Sequence, residues 1–259
     1  MTFIKKHIPE RVRKTIAEML GISSERRSIS ELEKRIDLLY ELIYLDLSGK
    51  KEEAMASLIQ RSRTRWLESS PNSALTWGEE LSGNNFVSKV DSYGGFGLNK
   101  AVLEVGSGYG RLLKSCLELK VAFKQYVGLD ISAKNIAYLW NTFKQENISF
   151  VQGDAENISF DTTFDTVMSS LTFKHLFPTF EKSLKNLAKY VNDDGMFFFD
   201  LIEGNRVYFE GDGLTFIHHY TRAEIIEILS RCGLQLVEFD EVQHGPGHNR
   251  LLVRARSAR

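Results

Sequence analysis

Apolar and polar positions follow two different rhythms along the 259 residues. Up to about residue 95 the apolar side chains recur every three or four positions, the period of helices with one buried face. Beyond residue 100, short apolar runs alternate with longer amphipathic stretches, the rhythm of strand, helix, strand. The first rhythm predicts a helix over Pro9–Leu20 stopped by Gly21, and a third helix over about Lys51–Glu68. Between them a second helix opens on Ser30 and Glu33, a capping box in which each side chain satisfies the other's free amide. Within it Ile29, Leu32, Ile36, Leu39 and Ile43 step alternately by three and four, a coiled-coil-like seam that Asp46 interrupts. Such a seam suits first an intramolecular helical hairpin packed on the main domain, with a homodimer contact through the N-terminal helices as the alternative. The Ser/Pro/Asn/Gly-rich segment 69–84 reads as a surface connection carrying one aromatic, Trp77.

The second rhythm predicts strands over 101–105, 126–130, 148–152, 164–169, 196–201, 234–242 and 251–255. Helices are expected over Arg111–Leu119, about 133–146, about 178–191 and from Thr221 to a stop at Gly233, with Thr221 and Glu224 forming another capping box. Strands that alternate with helices pair in parallel through right-handed crossovers. The expected chain is therefore α/β, with a helical extension over 1–95 and a sheet domain over 96–259. In such sheets the ligand lies at the carboxyl ends of the strands, where the strand order reverses.

Composition narrows the partners. A formal net charge of −1 supplies no whole-molecule field toward nucleic acid or anionic lipid. The basic N-terminal residues (Lys5, Lys6, Arg11, Arg13, Lys14) are spaced as the solvated face of amphipathic helices. Cys116 and Cys232 stand in separate helical patterns without metal or redox spacing, as reduced thiols of the cytoplasm do. No apolar run reaches bilayer length and no hydrophobic signal core follows the first lysines. A soluble cytoplasmic protein without nucleic-acid or membrane partners is the expectation.

The chemistry concentrates in Glu104-Val-Gly106-Ser-Gly108-Tyr-Gly110-Arg111. Glycines spaced by two directly after a strand let the backbone turn tightly and approach a ligand. The next helix aims free amides and a positive dipole end at that ligand. A dinucleotide fingerprint would read G-x-G-x-x-G; here the third glycine comes one residue early and an acid stands two before the first. That departure disfavours a nicotinamide-dependent oxidoreductase, and suits a ribose with a cationic amino-acid tail better than a diphosphate. Asp130 ends the second strand twenty residues past Gly110, where an acid accepts hydrogen bonds from a ribose diol. Asp154 follows the third strand, and Ser169 with Ser170 ends the fourth. Each acid alone is equally a helix cap or turn residue; together, in order at successive strand ends, they form a site.

These residues resemble the class I S-adenosylmethionine-dependent methyltransferases over roughly residues 95–259. The resemblance implies a Rossmann-like, seven-stranded, mostly parallel sheet with helices on both faces and the last strand, Leu251–Ala255, inserted antiparallel. It implies S-adenosyl-L-methionine as cofactor, with Glu104, Gly106, Gly108 and Gly110 at its methionine part. Asp130 and Ile131 then fall to ribose and adenine, Asp154 and Ala155 to the adenine edge, and Ser169 and Ser170 beside the methyl donor. Ser-Ser-Leu-Thr replaces the N/D-P-P-Y motif of enzymes that methylate nucleic-acid amines, so the expected reaction is O-methylation of a small molecule or glycan hydroxyl. His175 is the expected base, against a packing role in which its imidazole donates to a backbone carbonyl. Trp77, His218 and His219 are expected at the acceptor, with Trp77, Arg63 and Arg65 able to close over the cofactor carboxylate or the acceptor; Trp77 also serves equally as a packing anchor. His244 and His248 are separated by Pro246 and two glycines, which excludes the helical geometry of a zinc pair, and no metal is expected. A non-catalytic cofactor-binding scaffold acting through the N-terminal helices is the alternative from a different class.

Overall fold

A computed structural model describes residues 36, 48–71, 81–176, 178–209, 216–245 and 249–258. The helices expected over Pro9–Leu20 and after Ser30, the apolar seam apart from Ile36, and Trp77 and His248 lie outside the described residues. The chain forms two compact units, Met1–Arg61 with Phe209–Thr215, and Ser62–Tyr208 with Phe216–Arg259. In the first, the described residues are mostly those of helix α1 (Lys51–Leu67), opened by an exposed Lys50–Glu53 pair at 3.3 Å. Residues of α1 from Ser62 onward belong to the second unit.

The second unit is built on a seven-stranded sheet. Its strands are β1 (Gly97–Val105), β2 (Phe123–Asp130), β3 (Ile148–Gln152), β4 (Phe164–Ser169), β5 (Val191–Leu201), β8 (Leu234–Gln243) and β9 (Asn249–Ser257). They lie in the order β3-β2-β1-β4-β5-β9-β8. All run parallel except β9, which is antiparallel to β5 on one side and to β8 on the other. The remaining two strands, β6 (Val207–Phe209) and β7 (Phe216–His218), make a separate small ribbon.

Period-2 alternation divides the core between two faces. Leu103, Val105, Val167, Phe197, Phe199 and Val253 face a cluster closed by α5 (Phe180–Leu187) and α6 (Arg222–Arg231). Their neighbours Val102, Met168, Phe198 and Leu252 face the other cluster. That second face is covered by α2 (Asn84–Ser92), α3 (Arg111–Glu118) and α4 (Ala133–Thr142). Strands covered on both sides read as unbroken apolar runs, which is why they were legible. Helix α2 lies within 62–95, the stretch assigned from sequence to the extension, yet its Phe86, Val87 and Val90 are fully buried in the sheet's core. The Thr221 capping box forms as expected, and Gly233 ends α6 with a left-handed φ of 71°. Helix α4 stops at Thr142, short of the expected 146, because Phe143 leaves helical geometry and turns into the core.

After β3 the chain crosses back over β1 to lay β4 on its other side. The strand order therefore reverses between β1 and β4, and the crevice at their carboxyl ends is where a ligand belongs.

Candidate functional site

The glycine loop follows β1 without a break. Gly106, Gly108 and Gly110 have φ of 78°, 54° and 86°, in the left-handed region that side chains avoid. A Cβ on Gly106 would lie 2.3 Å from the Thr172 hydroxyl, so only glycine lets the β4 end approach the loop this closely. A Cβ on Gly108 would meet nothing within 4 Å among the described residues, which leaves that side of the loop open among them.

Asp130 joins this loop to the next helix. One carboxylate oxygen accepts the Gly108 amide at 2.7 Å; the other accepts the Ser132 amide at 2.8 Å and the Asn135 side chain at 3.2 Å. Burial raises its pKa, and these donors oppose that rise. A carboxylate offers about four acceptor positions. Three are filled, so a ribose would find one, unless an existing bond is exchanged.

Glu104 lies directly beneath the loop, almost fully buried, and accepts the Tyr126 hydroxyl at 2.6 Å. Burial pushes its carboxyl up to about 7, against the opposing effects of the Tyr126 bond and the Arg111 charge. Asp154 accepts the Glu156 amide at 3.0 Å as a turn residue, and it also pairs with Arg63 of α1. The same guanidinium reaches Glu156 at 2.9 Å, and Lys182 completes the cluster at 3.1 Å. The Ile131 and Ala155 carbonyls accept the Gln152 and Asn186 amides at 3.5 and 3.1 Å. The Ser169 hydroxyl donates to the Val105 carbonyl at 2.8 Å, tying β4 to β1 beside the loop.

His175 sits on a single 3₁₀ turn (Phe173–His175), with its Nδ1–H donating to the Phe216 carbonyl at 3.1 Å. Its ring meets Trp66 of α1, centroids 4.7 Å apart. Burial, with Lys174 nearby, holds its pKa well below the usual imidazole range, so the ring is neutral. His218 contacts Glu224 of the α6 cap at 3.2 Å, and half-buried His219 packs edge-on to Tyr208. Among the described residues no group of three or more potential metal ligands converges. His244 instead gives its Nε2 to Asp200, at 2.8 Å.

Sequence reasoning overlooked Asp200 altogether. Its Oδ2 accepts the Ser170 hydroxyl at 2.5 Å as well as His244, and its Oδ1 accepts the Leu171 amide at 2.8 Å. The only available signal was its place as the acidic end of an otherwise apolar strand, Met196–Leu201. Arg63, expected from sequence to close over the cofactor carboxylate or the acceptor, is instead paired with Asp154 and Glu156, and Trp66 had no signal beyond its helix, since its partner lies about a hundred residues away.

The family model described as a methyltransferase domain matches residues 103–199. A fatty-acid O-methyltransferase of Mycolicibacterium smegmatis is 34% identical over 101 residues, 39% of this chain and 36% of that protein. A phthiotriol/phenolphthiotriol dimycocerosates methyltransferase of Mycobacterium tuberculosis is 30% identical over 109 residues, 42% of this chain and 40% of that protein. These matches therefore span about two fifths of either relative. Among solved structures, the 1,6-didemethyltoxoflavin-N1-methyltransferase of Burkholderia thailandensis superposes with a TM-score of 0.65 at 18% identity, over 80% of this chain and 91% of that one. The glycopeptide N-methyltransferase MtfA gives 0.58 at 15%, over 73% and 98%. At these identities the structural likeness is one of fold.

Proposed function

We propose that the chain, whose residues 103–199 match a methyltransferase domain, is a class I S-adenosylmethionine-dependent enzyme that transfers a methyl group to an oxygen of a small-molecule, sugar or lipid-like acceptor. The observation that carries the reading is the Gly108–Asp130 hydrogen bond, which brings the glycine loop and the ribose-type acid into one crevice. The open side of Gly108 admits a ligand against bare backbone, and Glu104 offers a carboxylate to a cationic amino-acid tail. Asp130 and Ile131 would hold ribose and adenine, Asp154 and Ala155 the adenine edge. When bound, the cofactor supplies an electrophilic methyl on a sulfonium.

The protein's part is mainly alignment, since well-oriented reactants gain up to about 7–11 kcal/mol of barrier reduction. An unionised hydroxyl acceptor must also lose a proton. His175 is the group we assign to take it: Nδ1–H is committed to the Phe216 carbonyl, so Nε2 carries the basic lone pair. The fatty-acid O-methyltransferase favours oxygen as the accepting atom, and together with the phthiotriol/phenolphthiotriol dimycocerosates methyltransferase it adds lipid-like molecules to the acceptor classes.

Calorimetric titration with S-adenosylhomocysteine tests the cofactor. Asp130→Ala is expected to weaken binding by about 2 kcal/mol or more, through loss of a charge-assisted contact and of the loop's anchor; an unchanged affinity counts against the assignment. His175→Ala is expected to lower turnover in an acceptor screen by about tenfold or more with cofactor affinity kept. Full activity in that variant would remove His175 from the mechanism.

A further inference from the structure

Beside the crevice lies a closed ring of hydrogen bonds that the reaction as described does not use. Arg111, the first residue of α3, donates Nη2 to the Ser170 hydroxyl at 2.7 Å and Nη1 to the Ser82 carbonyl at 3.2 Å. Ser82 donates its amide to the His244 carbonyl at 3.1 Å. His244 closes the circuit through Asp200, which accepts from Ser170. The ring ties the ends of β4, β5 and β8 to the first turn of α3 and the chain entering α2. Asp200 and His244 are each only 1% exposed, and His244 stacks on buried Phe86.

A buried charge is kept only where its partners repay desolvation. The bonds from His244, Ser170 and Leu171 outweigh burial and hold the Asp200 carboxyl below its ordinary range, so it is ionised. An ionised carboxylate only accepts, so His244 Nε2 carries a proton and donates it to Asp200.

The ring also explains a strained backbone. Leu171 has a φ of 63°, a left-handed conformation that a side chain avoids and that persists only where the surroundings over-determine it. Asp200 supplies that determination by gripping both Ser170 Oγ and the Leu171 amide. The turn so held delivers Thr172 onto Gly106 of the cofactor loop.

Building on the cofactor reading above, we propose that Asp200 and His244 are positioning residues: the buried pair holds the Ser170–Thr172 turn and Arg111 against the glycine loop and so sets the shape of the methyl-donor pocket. Neither residue touches a ligand in this assignment. Both act through Ser170, Leu171 and Thr172.

Three variants test it in the full chain. His244→Gln keeps a side-chain N–H in reach of Asp200, His244→Leu keeps the bulk without the donor, and Asp200→Asn turns one acceptor into a donor. The expected S-adenosylhomocysteine affinity falls about tenfold or more in Asp200→Asn and His244→Leu, and stays within about twofold of wild type in His244→Gln. In the ligand-free protein, ¹⁵N NMR of the imidazole is expected to show the Nε2–H tautomer in wild type and the Nδ1–H tautomer in Asp200→Asn. Hydrogen exchange at the Leu171 amide is expected to accelerate in a further variant, Asp200→Ala, which removes both carboxylate oxygens. Equal affinities for the Gln and Leu variants, a wild-type Nδ1–H tautomer, or unchanged Leu171 exchange would each overturn the proposal. Wild-type protein that fails to bind S-adenosylhomocysteine would sink the cofactor reading, while the ligand-free measurements still decide whether the pair holds the turn.

Discussion

Glu104 is the residue whose chemistry the fold changes most. In water a glutamate is ionised well below neutrality, but here burial lifts its carboxyl to about 7 from 4.5. The sign of the consequence follows from linkage. A carboxyl whose folded pKa is raised stabilises the folded protein below about pH 4.5, and that contribution is lost as pH rises through about 7. A cation placed beside Glu104 acts in the opposite sense, because it favours the ionised form and lowers the pKa again. Near pH 7 a fraction of the molecules therefore carries the proton, and a ligand with an ammonium group should displace it. Titrating S-adenosylhomocysteine in buffers of differing ionisation enthalpy measures this release directly. Glu104→Gln, which cannot ionise, is expected to show none; equal release in both proteins would place the cationic tail elsewhere.

At the scale of elements, α2 shows how a short helix is fastened to the sheet's outer edge. Asp240 of β8 accepts Lys89 at 2.5 Å and the Tyr93 hydroxyl at 2.6 Å, and Arg254 of β9 lies over the Tyr93 ring, 4.1 Å from its centroid. The Lys89 and Tyr93 donors hold the Asp240 carboxyl down at about 2, while the same bond pushes the Tyr93 phenol up to about 12. A depressed folded pKa means stability that is present above about pH 3.8 and lost as pH falls through 2. Allowing for partial exposure, Asp240→Asn should destabilise by about 1–2 kcal/mol at pH 7 and by progressively less toward pH 2. Urea unfolding at several pH values checks this, and a pH-independent difference would mean that packing, not charge, is lost. The same helix marks a limit of sequence reading. Strands β3 and β4 were found to the residue because each is a bounded apolar run, whereas NNFVSKVDS has three apolar positions in nine and borrows its stability from the sheet. Ribbon β6–β7 was equally silent, since three-residue strands carry no period to detect.

For the whole molecule, what could be read from sequence follows how far apart the interacting residues lie along the chain. Glu104, the three glycines and Arg111 fall within eight consecutive residues, and Asp130 and Asp154 occupy strand ends that the rhythm itself marks. Asp200 meets His244 across 44 residues and Arg63 meets Glu156 across 93, and no local pattern encodes either meeting. Topology supplies what spacing could not: the reversal between β1 and β4 gathers all of these groups at one edge. That edge can be told from the opposite one by hydrogen exchange with and without S-adenosylhomocysteine. A ligand at about a hundred times its dissociation constant adds about 2.7 kcal/mol to stability, which slows every amide that exchanges by global unfolding and so carries no positional information. Amides that exchange by local opening do carry it. Those of the Gly106–Gly110 loop, Ser132, Glu156 and Leu171 are expected to slow on binding. Those of the amino-edge loops Lys120–Ala122 and Asp161–Thr163 should keep their rates. Slowing confined to the amino edge would mean that the ligand binds across the sheet from every residue assigned to it here.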